Sequence, residues 1–529
     1  MATSFTDEPA WGKVLIAGGV DWDMIGRKPK AGDTRELLPN LETFHLIREF
    51  TDLKIVKIAT GPNAAHSIFI TDDGDVWVLG RNEKGQLGVG DTNPHPLPMK
   101  IPTIYSSAGN KKSTNLKFVD AAVGRNHSII IASNGAVYGA GDNKMGQLGN
   151  DNLKEHPSFV HISSLGREKG ASVACGAEFT MVLSEKGQLW AFGSPEYGQL
   201  GNKTNGQYLQ QSNRLVHMPQ TSPVLVAALK DKVVTKVRCG TNHTLALTDG
   251  VVYSWGFGGY GRLGHSKQED LWSPMPIEQF AGSNKISRAT DIAAGSSFSM
   301  ALDGQGQFWL WGKWKTTGDG GGGTPWMYPR TMYDLNGWSF RAFSGGNVTL
   351  FCIPTSEPCT IAWGQGAIHS ELGYGEGEPR SSTKPDKVRP LEGLIMKDVS
   401  CGLGHTLLLC KPGQEKLQDL PKWPLLDVEE HCIECLSAED EESMLLCDKC
   451  DSGTHLHCTV PRLQAVPDTD WFCQGCTRAK EKNRTKSSSD GSDLSSQSAG
   501  KTNAKRKAPA GKGSSKKSKG NHSDDDNSE

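Results

Sequence analysis

The chain has 529 residues, more than one ordinary hydrophobic core accommodates, so two or more domains are expected. Its 62 glycines and 36% hydrophobic residues are typical of many short strands joined by tight turns and favour an all-β fold. The net charge of −2 is unevenly spread, because residues 477–529 hold 13 Lys/Arg and 7 Asp/Glu, a net of +6. Neither a signal-peptide pattern nor the roughly 20 consecutive apolar residues of a membrane helix is present, which predicts a soluble, intracellular protein with no membrane partner.

A repeat fills the first four-fifths of the chain. Each copy has a glycine, then His or Phe followed by Ser or Thr, an apolar run, a polar-glycine turn, an aromatic strand that ends in glycine, and the element G-Q-L-G. Four clear copies span 61–88, 124–149, 176–201 and 240–264, and three weaker copies span 295–312, 345–373 and 402–413. The fifth copy loses G-Q-L-G in the run Gly318 to Gly323, and the seventh stops halfway.

The missing half of the seventh copy lies at the other end of the chain. Residues 14–26, VLIAGGVDWDMIG, have the pattern of an apolar strand followed by a degenerate G-Q-L-G element. A small sheet made from one copy cannot bury both faces, whereas radial packing of seven sheets covers them and leaves only short edges. We therefore predict a seven-bladed β-propeller over residues 1–413, closed by strands in residues 14–28. Residues 29–51 form an insertion in which LETFHLIREF has helical spacing.

The repeat resembles that of the regulator of chromosome condensation family, whose members are seven-bladed propellers. The resemblance runs from about Val14 to Pro412, and phrases such as WDMIGRK (22–28), PEYGQLG (195–201) and WGFGGYGRLGH (255–265) carry it. The founding member of that family is a nucleotide exchange factor for the small GTPase Ran and acts through one propeller face. Other members are linked to GTPases of the Rac and Ral type. The resemblance thus implies a small GTPase of the Ran, Rac or Ral type as a partner of the propeller.

The propeller sequence indicates no catalytic centre. The chain has no P-loop or nucleophile elbow, and GEGEP (375–379) lacks the strand-then-helix context of a phosphate-binding loop. Four histidines recur at one repeat position before Ser or Thr and are expected to be structural: His66, His127, His243 and His405. Six cysteines lie in strand patterns and are expected to be buried free thiols: Cys175, Cys239, Cys352, Cys359, Cys401 and Cys410. We predict that the protein is not itself an enzyme, although no motif can settle whether it has nucleotide exchange activity.

Seven cysteines and one histidine at metal-ligand spacing follow a predicted linker, residues 414–428. They form four pairs: Cys432 and Cys435, Cys447 and Cys450, His455 and Cys458, and Cys473 and Cys476. Zinc prefers four tetrahedral thiolate and imidazole ligands, and a C-x-x-C step lets one tight turn offer two sulfurs to one ion. Eight ligands predict two Zn²⁺ ions. A segment with so few apolar side chains needs them, since structural zinc contributes about 10 to 16 kcal/mol in small fingers.

The ligand order of four cysteines, one histidine and three cysteines resembles a PHD finger over residues 429–479. In that family the first and third pairs hold one zinc ion and the second and fourth pairs hold the other. The rival RING module would imply a ubiquitin ligase, but it places its histidine fourth, whereas here the fourth ligand is Cys450 and the fifth is His455. Trp471, two residues before the seventh ligand, also suits the PHD pattern.

A histone tail is the expected ligand of the finger. Residues 443–446 have the pattern of an exposed-edge strand that can accept a tail by strand addition, beside acidic residues suited to a basic peptide. The candidate contacts are Glu441, Glu442, Met444, Leu445, Leu446, Asp448 and Trp471. No aromatic cage for trimethyllysine is evident, because Gly453 stands where many methyl readers carry Trp. The finger resembles the PHD group that prefers the unmodified fourth-position lysine of histone H3. Binding of a methylated mark and no tail binding are the alternatives.

Residues 480–529 form a basic tail with almost no apolar content, which predicts disorder. KRK (505–507) and SSKKSKG (514–520) resemble a nuclear import signal, and such a segment also contacts DNA phosphates nonspecifically. The alternative is a tail that only adds solubility.

Two functions are compatible with these features. The first is a nonenzymatic, nuclear, chromatin-associated adaptor whose finger binds the unmodified H3 tail and whose propeller recruits a protein partner such as a small GTPase. The second is a guanine nucleotide exchange factor that its finger localises to chromatin.

Overall fold

The computed structural model describes residues 9–28, 37–104, 115–210, 214–315, 324–426, 431–438, 440, 443–467 and 469–477. Contacts divide the chain into two compact units, Met1–Pro424 and Leu425–Glu529. The basic tail, the run Gly318 to Gly323 and residues 29–36 of the predicted insertion lie outside the described residues. None of the described helices has the length and apolar character that crossing a membrane requires.

The first unit is a seven-bladed β-propeller, which confirms the fold predicted from the repeat. β1 (Lys13–Gly18) and β2 (Leu41–Ile47) come first in the chain but belong to the last blade. Blades 1 to 6 each contain four antiparallel strands, and the first strand of each lines the centre of the ring. The chain therefore builds one blade after another around the axis.

The strand bounds of the six consecutive blades are as follows. Blade 1 holds β3 (Ile55–Ala59), β4 (His66–Thr71), β5 (Val76–Gly80) and β6 (His95–Lys100), and blade 2 holds β7 (Phe118–Val123), β8 (His127–Ala132), β9 (Val137–Gly141) and β10 (His156–His161). Blade 3 holds β11 (Gly170–Cys175), β12 (Phe179–Ser184), β13 (Leu189–Gly193) and β16 (Gln220–Leu225), with a hairpin of β14 (Gln207–Leu209) and β15 (Leu215–His217) inserted before β16. Blade 4 holds β17 (Lys236–Cys239), β18 (His243–Thr248), β19 (Val251–Gly256) and β20 (Leu271–Pro276). Blade 5 holds β21 (Ala289–Ala294), β22 (Phe298–Asp303), β23 (Phe308–Gly312) and β24 (Trp326–Thr331), and blade 6 holds β25 (Phe340–Gly345), β26 (Thr349–Pro354), β27 (Ile361–Gly364) and β28 (Ser382–Lys387).

The seventh blade joins the two ends of the propeller sequence. Its strand order is β29 (Met396–Cys401), β30 (His405–Cys410), β1, β2 and β31 (Lys422–Trp423). β1 pairs with β30 over its whole length, from Lys13 opposite Cys410 to Gly18 opposite His405. A strand from the start of the chain therefore closes the ring through an antiparallel ladder.

The structure differs from the sequence expectation at two places in this blade. Residues 41–47, expected in an insertion with helical spacing, form β2, with Leu46 opposite Leu15. Residues 14–28 therefore contain one closing strand, and the second comes from the insertion. Residues 415–423, expected in a linker, form a 3₁₀ turn and β31, which pairs in parallel with β2. Residues 41–47 form a strand despite their helical spacing, because without β2 the second edge of β1 would bury unpaired backbone groups.

Short helical turns connect the strands. One α-helical turn, α1, spans Glu278–Ala281. The 3₁₀ turns of the propeller are Arg48–Phe50, Ser163–Leu165, Ala227–Leu229, Gly259–Gly261, Lys285–Ser287, Tyr333–Leu335, Arg389–Leu391 and Glu415–Asp419. Most of them bury one apolar side chain, for example Leu165 or Leu229, and so seal the rim of the core.

Apolar side chains between adjacent blades form the core. The leucine of each described G-Q-L-G element is buried: Leu87, Leu148, Leu200, Leu263 and Leu372. Two buried tryptophans reach the preceding blade, since Trp255 Nε1 donates to the Gln199 carbonyl and Trp311 Nε1 to the Arg262 carbonyl, each at 2.9 Å. The six propeller cysteines are buried and free of disulfides, as predicted.

The repeated histidines link neighbouring blades. In each case the ring Nε2 lies within hydrogen-bond distance of a Ser or Thr hydroxyl on the next blade. The pairs are His66 with Ser128 (2.9 Å), His127 with Thr180 (3.0 Å), His243 with Ser299 (2.9 Å) and, across the closure, His405 with Ser67 (2.8 Å). Glycine lies three residues before His127, His243 and His405 for a steric reason: a Cβ added to Gly124 would lie 2.1 Å from His127 Cε1. These contacts give the four histidines a structural role.

Acid should weaken the propeller through these histidines. Burial lowers the pKa of His66, His127 and His405 to about 3, whereas a histidine in an unfolded chain has a pKa near 6.5. Between pH 6.5 and pH 3 the unfolded chain binds protons that the folded chain does not. The free energy of unfolding therefore falls as the pH falls, by up to about 1.4 kcal/mol per pH unit for each histidine.

The variant His127→Phe tests this acid sensitivity, because Phe179 occupies the same repeat position in blade 3. We expect the variant to lose stability less steeply than the wild type between pH 6.5 and pH 4, when urea unfolding of the propeller is followed at several pH values. An unchanged slope would show that His127 does not titrate on unfolding.

The innermost strands enclose a central channel of about 360 Å³ that carries charges of both signs. Lys57 Nζ lies 2.8 Å from Asp120 Oδ1, and Lys236 pairs with Asp291. Asp398 lies in the same channel, and burial raises the pKa of its carboxyl group. Ion pairs of the inner strands therefore join blade 1 to blade 2 and blade 4 to blade 5.

The described part of the second unit contains little regular structure. β32 (Met444–Leu446) and β33 (Gly453–His455) pair antiparallel, a 3₁₀ turn spans Leu456–Cys458, and residues 474–477 form one helical turn. So few apolar side chains are buried here that burial alone cannot stabilise this fold.

Candidate metal centres and peptide-binding edge

The eight predicted ligands form two groups of four in this second unit, the finger. Within each group the ligand atoms all lie within 4.8 Å of one another. One group is Cys432, Cys435, His455 and Cys458, and the other is Cys447, Cys450, Cys473 and Cys476. The first and third pairs thus meet, as do the second and fourth.

The donor spacing fits zinc. Tetrahedral ligands at the usual Zn–S distance of about 2.3 Å lie about 3.8 Å apart. Cys450 Sγ and Cys473 Sγ are 3.7 Å apart, and Cys458 Sγ is 3.9 Å from His455 Nδ1. Four protein ligands complete the coordination of a structural zinc and leave no position for a reacting group. The finger therefore has two sites that can each bind a zinc ion.

The same tight turn presents the ligands of both groups. The Leu436 amide donates to the Cys432 carbonyl at 2.8 Å, and the Asp451 amide donates to the Cys447 carbonyl at 2.8 Å. Leu436 and Asp451 each follow the second cysteine of a pair and have φ values of 59° and 55°. A residue in the left-handed conformation at this point turns the chain so that both cysteine sulfurs of a pair face one side.

The geometry favours His455 over its neighbour His457 as the nitrogen ligand. His455 Nδ1 lies 3.4 Å from Cys435 Sγ. The His457 ring stacks on the His455 ring, with centroids 4.9 Å apart and an interplanar angle of 8°. His457 Nδ1 lies 3.9 Å from Asp440 Oδ2, outside the ligand group.

β32 has an open edge, since within the described part of the finger it pairs with β33 alone. In an antiparallel pair, every second residue directs its N–H and C=O groups to the partner strand. The Cys447 amide donates to the Ser452 carbonyl at 3.0 Å, so Cys447 and Leu445 direct their backbone groups to β33. Met444 and Leu446 direct theirs to the other side. Those N–H and C=O groups are placed to accept a further strand.

The predicted tail contacts have unequal positions. The side chains of Met444 and Leu445 are only 6% and 1% exposed, so they belong to the interior of the finger. Met444 can meet a peptide through its backbone only, and Leu446 is half-buried. Glu441 and Glu442 lie outside the described residues.

Asp448 and Trp471 are bonded to each other. The Trp471 amide donates to Asp448 Oδ2 at 2.6 Å, and the Asp448 amide donates to the Trp471 carbonyl at 2.9 Å. The carboxylate predicted to pair with a tail ammonium thus also holds the turn after Cys447 to the segment before Cys473. Substitutions of Asp448 must therefore distinguish its hydrogen bond to Trp471 from its predicted role in binding a tail.

The surroundings of Gly453, within the described residues, contain no aromatic cage. A Cβ at this position would lie 2.7 Å from Met444 Sδ, so Met444 already occupies the space above it. Trp471 and Phe472 instead line a separate cavity of about 200 Å³ beside Thr454. Gly453 and Thr454 are consecutive strand residues and face opposite sides of the sheet.

An exposed apolar hairpin lies in blade 3. β14 and β15 pair only with each other among the described strands. Four large apolar side chains of this segment are exposed: Tyr208, Leu209, Leu215 and Met218. The base of the hairpin at Gly206 lies against Pro195. This group of exposed apolar side chains is a candidate interaction surface.

Aromatic and cationic side chains of blades 3 to 5 form a second cluster. The rings of Tyr197 and Phe257 are 4.8 Å apart, and the buried Arg262 guanidinium lies 4.6 Å from the Phe257 ring centre. The exposed Tyr260 ring has Arg262 at 5.5 Å and Lys313 Nζ at 4.8 Å. Tyr260 has a φ of 62°, which is costly for a residue with a side chain. We call this cluster together with the hairpin the blade 3–5 surface.

The repeat pattern alone does not reveal the blade 3–5 surface. The interval that contains the hairpin, from Gly201 to Gly264, is 63 residues, close to the 61 residues from Gly88 to Gly149, so interval length gives no signal for it. The exposure of the hairpin residues depends on the pairing of β14 with β15, which the sequence does not show.

Both units match known protein families. The family model described as RCC1-like domain matches residues 6–351, and the PHD-finger model matches residues 432–476. The Protein RCC2 homolog of Xenopus laevis is 37% identical over 435 residues, which cover 78% of this chain and 81% of that protein. Protein RCC2 of Homo sapiens is 36% identical over 433 residues, which cover 78% of this chain and 79% of that protein.

A solved structure shares the fold. Prp20p from Saccharomyces cerevisiae superposes with a TM-score of 0.59 at 20% identity and covers 78% of this chain and 94% of its own. That structure is described together with the binding properties of Prp20p to Gsp1p and histones. The chain belongs to the RCC1-like domain family and carries a PHD finger after its propeller.

Proposed function

We propose that the protein is a nuclear, chromatin-associated adaptor whose finger binds the unmodified N-terminal tail of histone H3 and whose propeller recruits a small GTPase. The open edge of β32 carries the first part of the proposal, because the backbone groups of Met444 and Leu446 suit the addition of a tail strand. Residues 429–477 contain 11 Asp/Glu and two Lys/Arg, which favours a basic peptide. Nonspecific DNA contact by the basic tail would add to chromatin binding.

Preference for the unmodified tail rests on the surroundings of β32. A trimethylated ammonium is bound through aromatic faces, whereas a free ammonium donates hydrogen bonds to a carboxylate. The side chain above Gly453 is Met444, and Asp448 directly follows the third ligand. A free lysine at the fourth position of H3 would therefore find a better partner than a methylated one.

Strand addition predicts slower hydrogen exchange along β32. With unmodified H3 peptide bound to the full chain, we expect protection of the Met444 and Leu446 amides and no change at the β18 strand of the propeller. Peptide binding without protection of these two amides would place the docking site elsewhere.

Asp448→Asn should weaken binding of the unmodified peptide by about 1 to 3 kcal/mol, because it removes the charge of a charge-assisted hydrogen bond. Asparagine keeps an oxygen for the Trp471 amide, whereas Asp448→Ala loses both roles and should also destabilise the finger. Calorimetric titration measures the affinity. Glu434→Gln removes another exposed acidic residue of the finger and serves as the control. Wild-type affinity in Asp448→Asn would remove Asp448 from the site.

The propeller part of the proposal is supported by the blade 3–5 surface and by the described binding of Prp20p to Gsp1p. The alternative function is guanine nucleotide exchange on the same partner. GDP release from Ran, Rac and Ral GTPases, measured with and without the full chain, separates the two. Binding without faster release supports an adaptor, and faster release from any GTPase supports an exchange factor. We expect Leu209→Ser to reduce either effect, whereas Tyr333→Ser, an exposed aromatic residue after β24, should not.

A further inference from the structure

The residues that follow the finger have an unusual charge pattern. The described part of the finger ends at Thr477, and the next nine residues read R-A-K-E-K-N-R-T-K. Every second position is basic: Arg478, Lys480, Lys482, Arg484 and Lys486. In an extended strand these five side chains would share one face, whereas in a helix they would be spread around the axis. The spacing therefore suits a strand with one cationic face.

We propose that residues 484–486, tethered to the finger by residues 478–483, dock in extended form on the open edge of β32 and compete there with an incoming histone tail. The inference rests on the proposed function of that edge. The finger offers the complementary charge, since residues 429–477 hold 11 Asp/Glu against two Lys/Arg. Within the described part of the finger, β32 presents Met444 and Leu446 backbone groups to no other strand.

The segment also matches the expected ligand in sequence. Arg484-Thr485-Lys486 has the same order as the arginine, threonine and lysine at the second to fourth positions of the histone H3 tail. Residues 478–483 can span up to about 20 Å when extended and form the tether. The segment lacks the free amino terminus of H3, so it should bind more weakly than the histone and be displaced by it.

Tethering makes weak binding effective. A segment joined to its site by a short flexible linker has an effective concentration of about 1 mM. A docked segment with an intrinsic dissociation constant of about 0.1 to 0.5 mM would then lower the apparent affinity for a histone peptide about three- to tenfold.

Three variants of the full chain test the docking by titration with unmodified H3 peptide. Arg484→Gln with Lys486→Gln should bind the peptide about three- to tenfold more tightly than the wild type. Thr485→Lys with Lys486→Thr keeps the composition and net charge but breaks the alternation, and it should recover most of that gain. Lys505→Gln with Lys507→Gln removes the same charge farther along and should stay within about twofold of the wild type. Equal affinity of all four proteins, or an equal gain in the last variant, would overturn the proposal.

Hydrogen exchange without peptide makes the test independent of histone binding. If the segment docks, the Met444 and Leu446 amides should exchange faster in Arg484→Gln with Lys486→Gln than in the wild type. If no form bound H3 peptide, the proposed tail recognition would fail, and this comparison alone would decide the docking. Equal exchange rates would refute it.

Discussion

Replacing Cys447 by alanine is expected to unfold the finger and release both zinc ions, while the propeller melts at its wild-type temperature. The two ligand groups interleave along the chain, so loss of one site frees segments that the other site needs. Structural zinc contributes about 10 to 16 kcal/mol in small fingers, more than the few buried side chains of this unit can replace. Metal analysis of the purified variant and differential scanning calorimetry measure the two effects.

A matched substitution in the propeller should behave in the opposite way. Cys352 is a buried free thiol of blade 6, and Cys352→Ala should lower the propeller transition while two zinc ions remain bound. A Cys447→Ala protein that retained one zinc ion and its histone affinity would contradict the interdependence of the two sites. A shift of its propeller transition would contradict the independence of the two units.

Leu15→Ala is expected to lower the free energy of unfolding of the propeller by about 2 to 5 kcal/mol. Leu15 is fully buried in β1, opposite Leu46 of β2 and Leu408 of β30. The cavity left by this substitution weakens the packing of β1, the strand that joins the start of the propeller sequence to its end in blade 7. Urea unfolding followed by tryptophan fluorescence measures the loss.

The control for Leu15→Ala is an apolar strand residue that does not close the ring. Val119 lies in β7 and is exposed, so Val119→Ala should change the stability by no more than about 0.5 kcal/mol. If the two variants lost equal stability, packing of the buried Leu15 side chain in β1 would not contribute to the stability of the propeller.

The propeller could be predicted because the residues that determine each blade lie close together in the sequence and recur from blade to blade. The repeat recurs in seven units, most copies carry turn glycines and an aromatic strand, and five carry the buried leucine of the G-Q-L-G element. β2 was not predictable in the same way, because it lies outside the repeat and LETFHLI has helical spacing. Its strand conformation depends on β1, which is itself fixed by pairing with β30.

The metal sites were predictable for a related reason. Tetrahedral coordination demands thiolate and imidazole at fixed spacings, so eight ligands for two ions can be inferred from the sequence. The grouping of Cys432 with His455 and of Cys447 with Cys473 was implied by the resemblance to PHD fingers, and the structure brings the same residues together. The positions of the proposed tail contacts could be predicted only in part. The sequence places a strand at Met444–Leu446, but the direction of each backbone group depends on its register with β33. That register buries the Met444 side chain and leaves its backbone for a ligand.

Recognition of the unmodified tail is tested by the affinity of the zinc-loaded full chain for two H3 peptides, one unmodified and one trimethylated at the fourth-position lysine. We expect the unmodified peptide to bind at least about tenfold more tightly, a difference of about 1.4 kcal/mol, because Asp448 is the proposed partner of a free ammonium and no aromatic cage surrounds Gly453 in the described finger. Equal or tighter binding of the trimethylated peptide would contradict recognition of the unmodified tail.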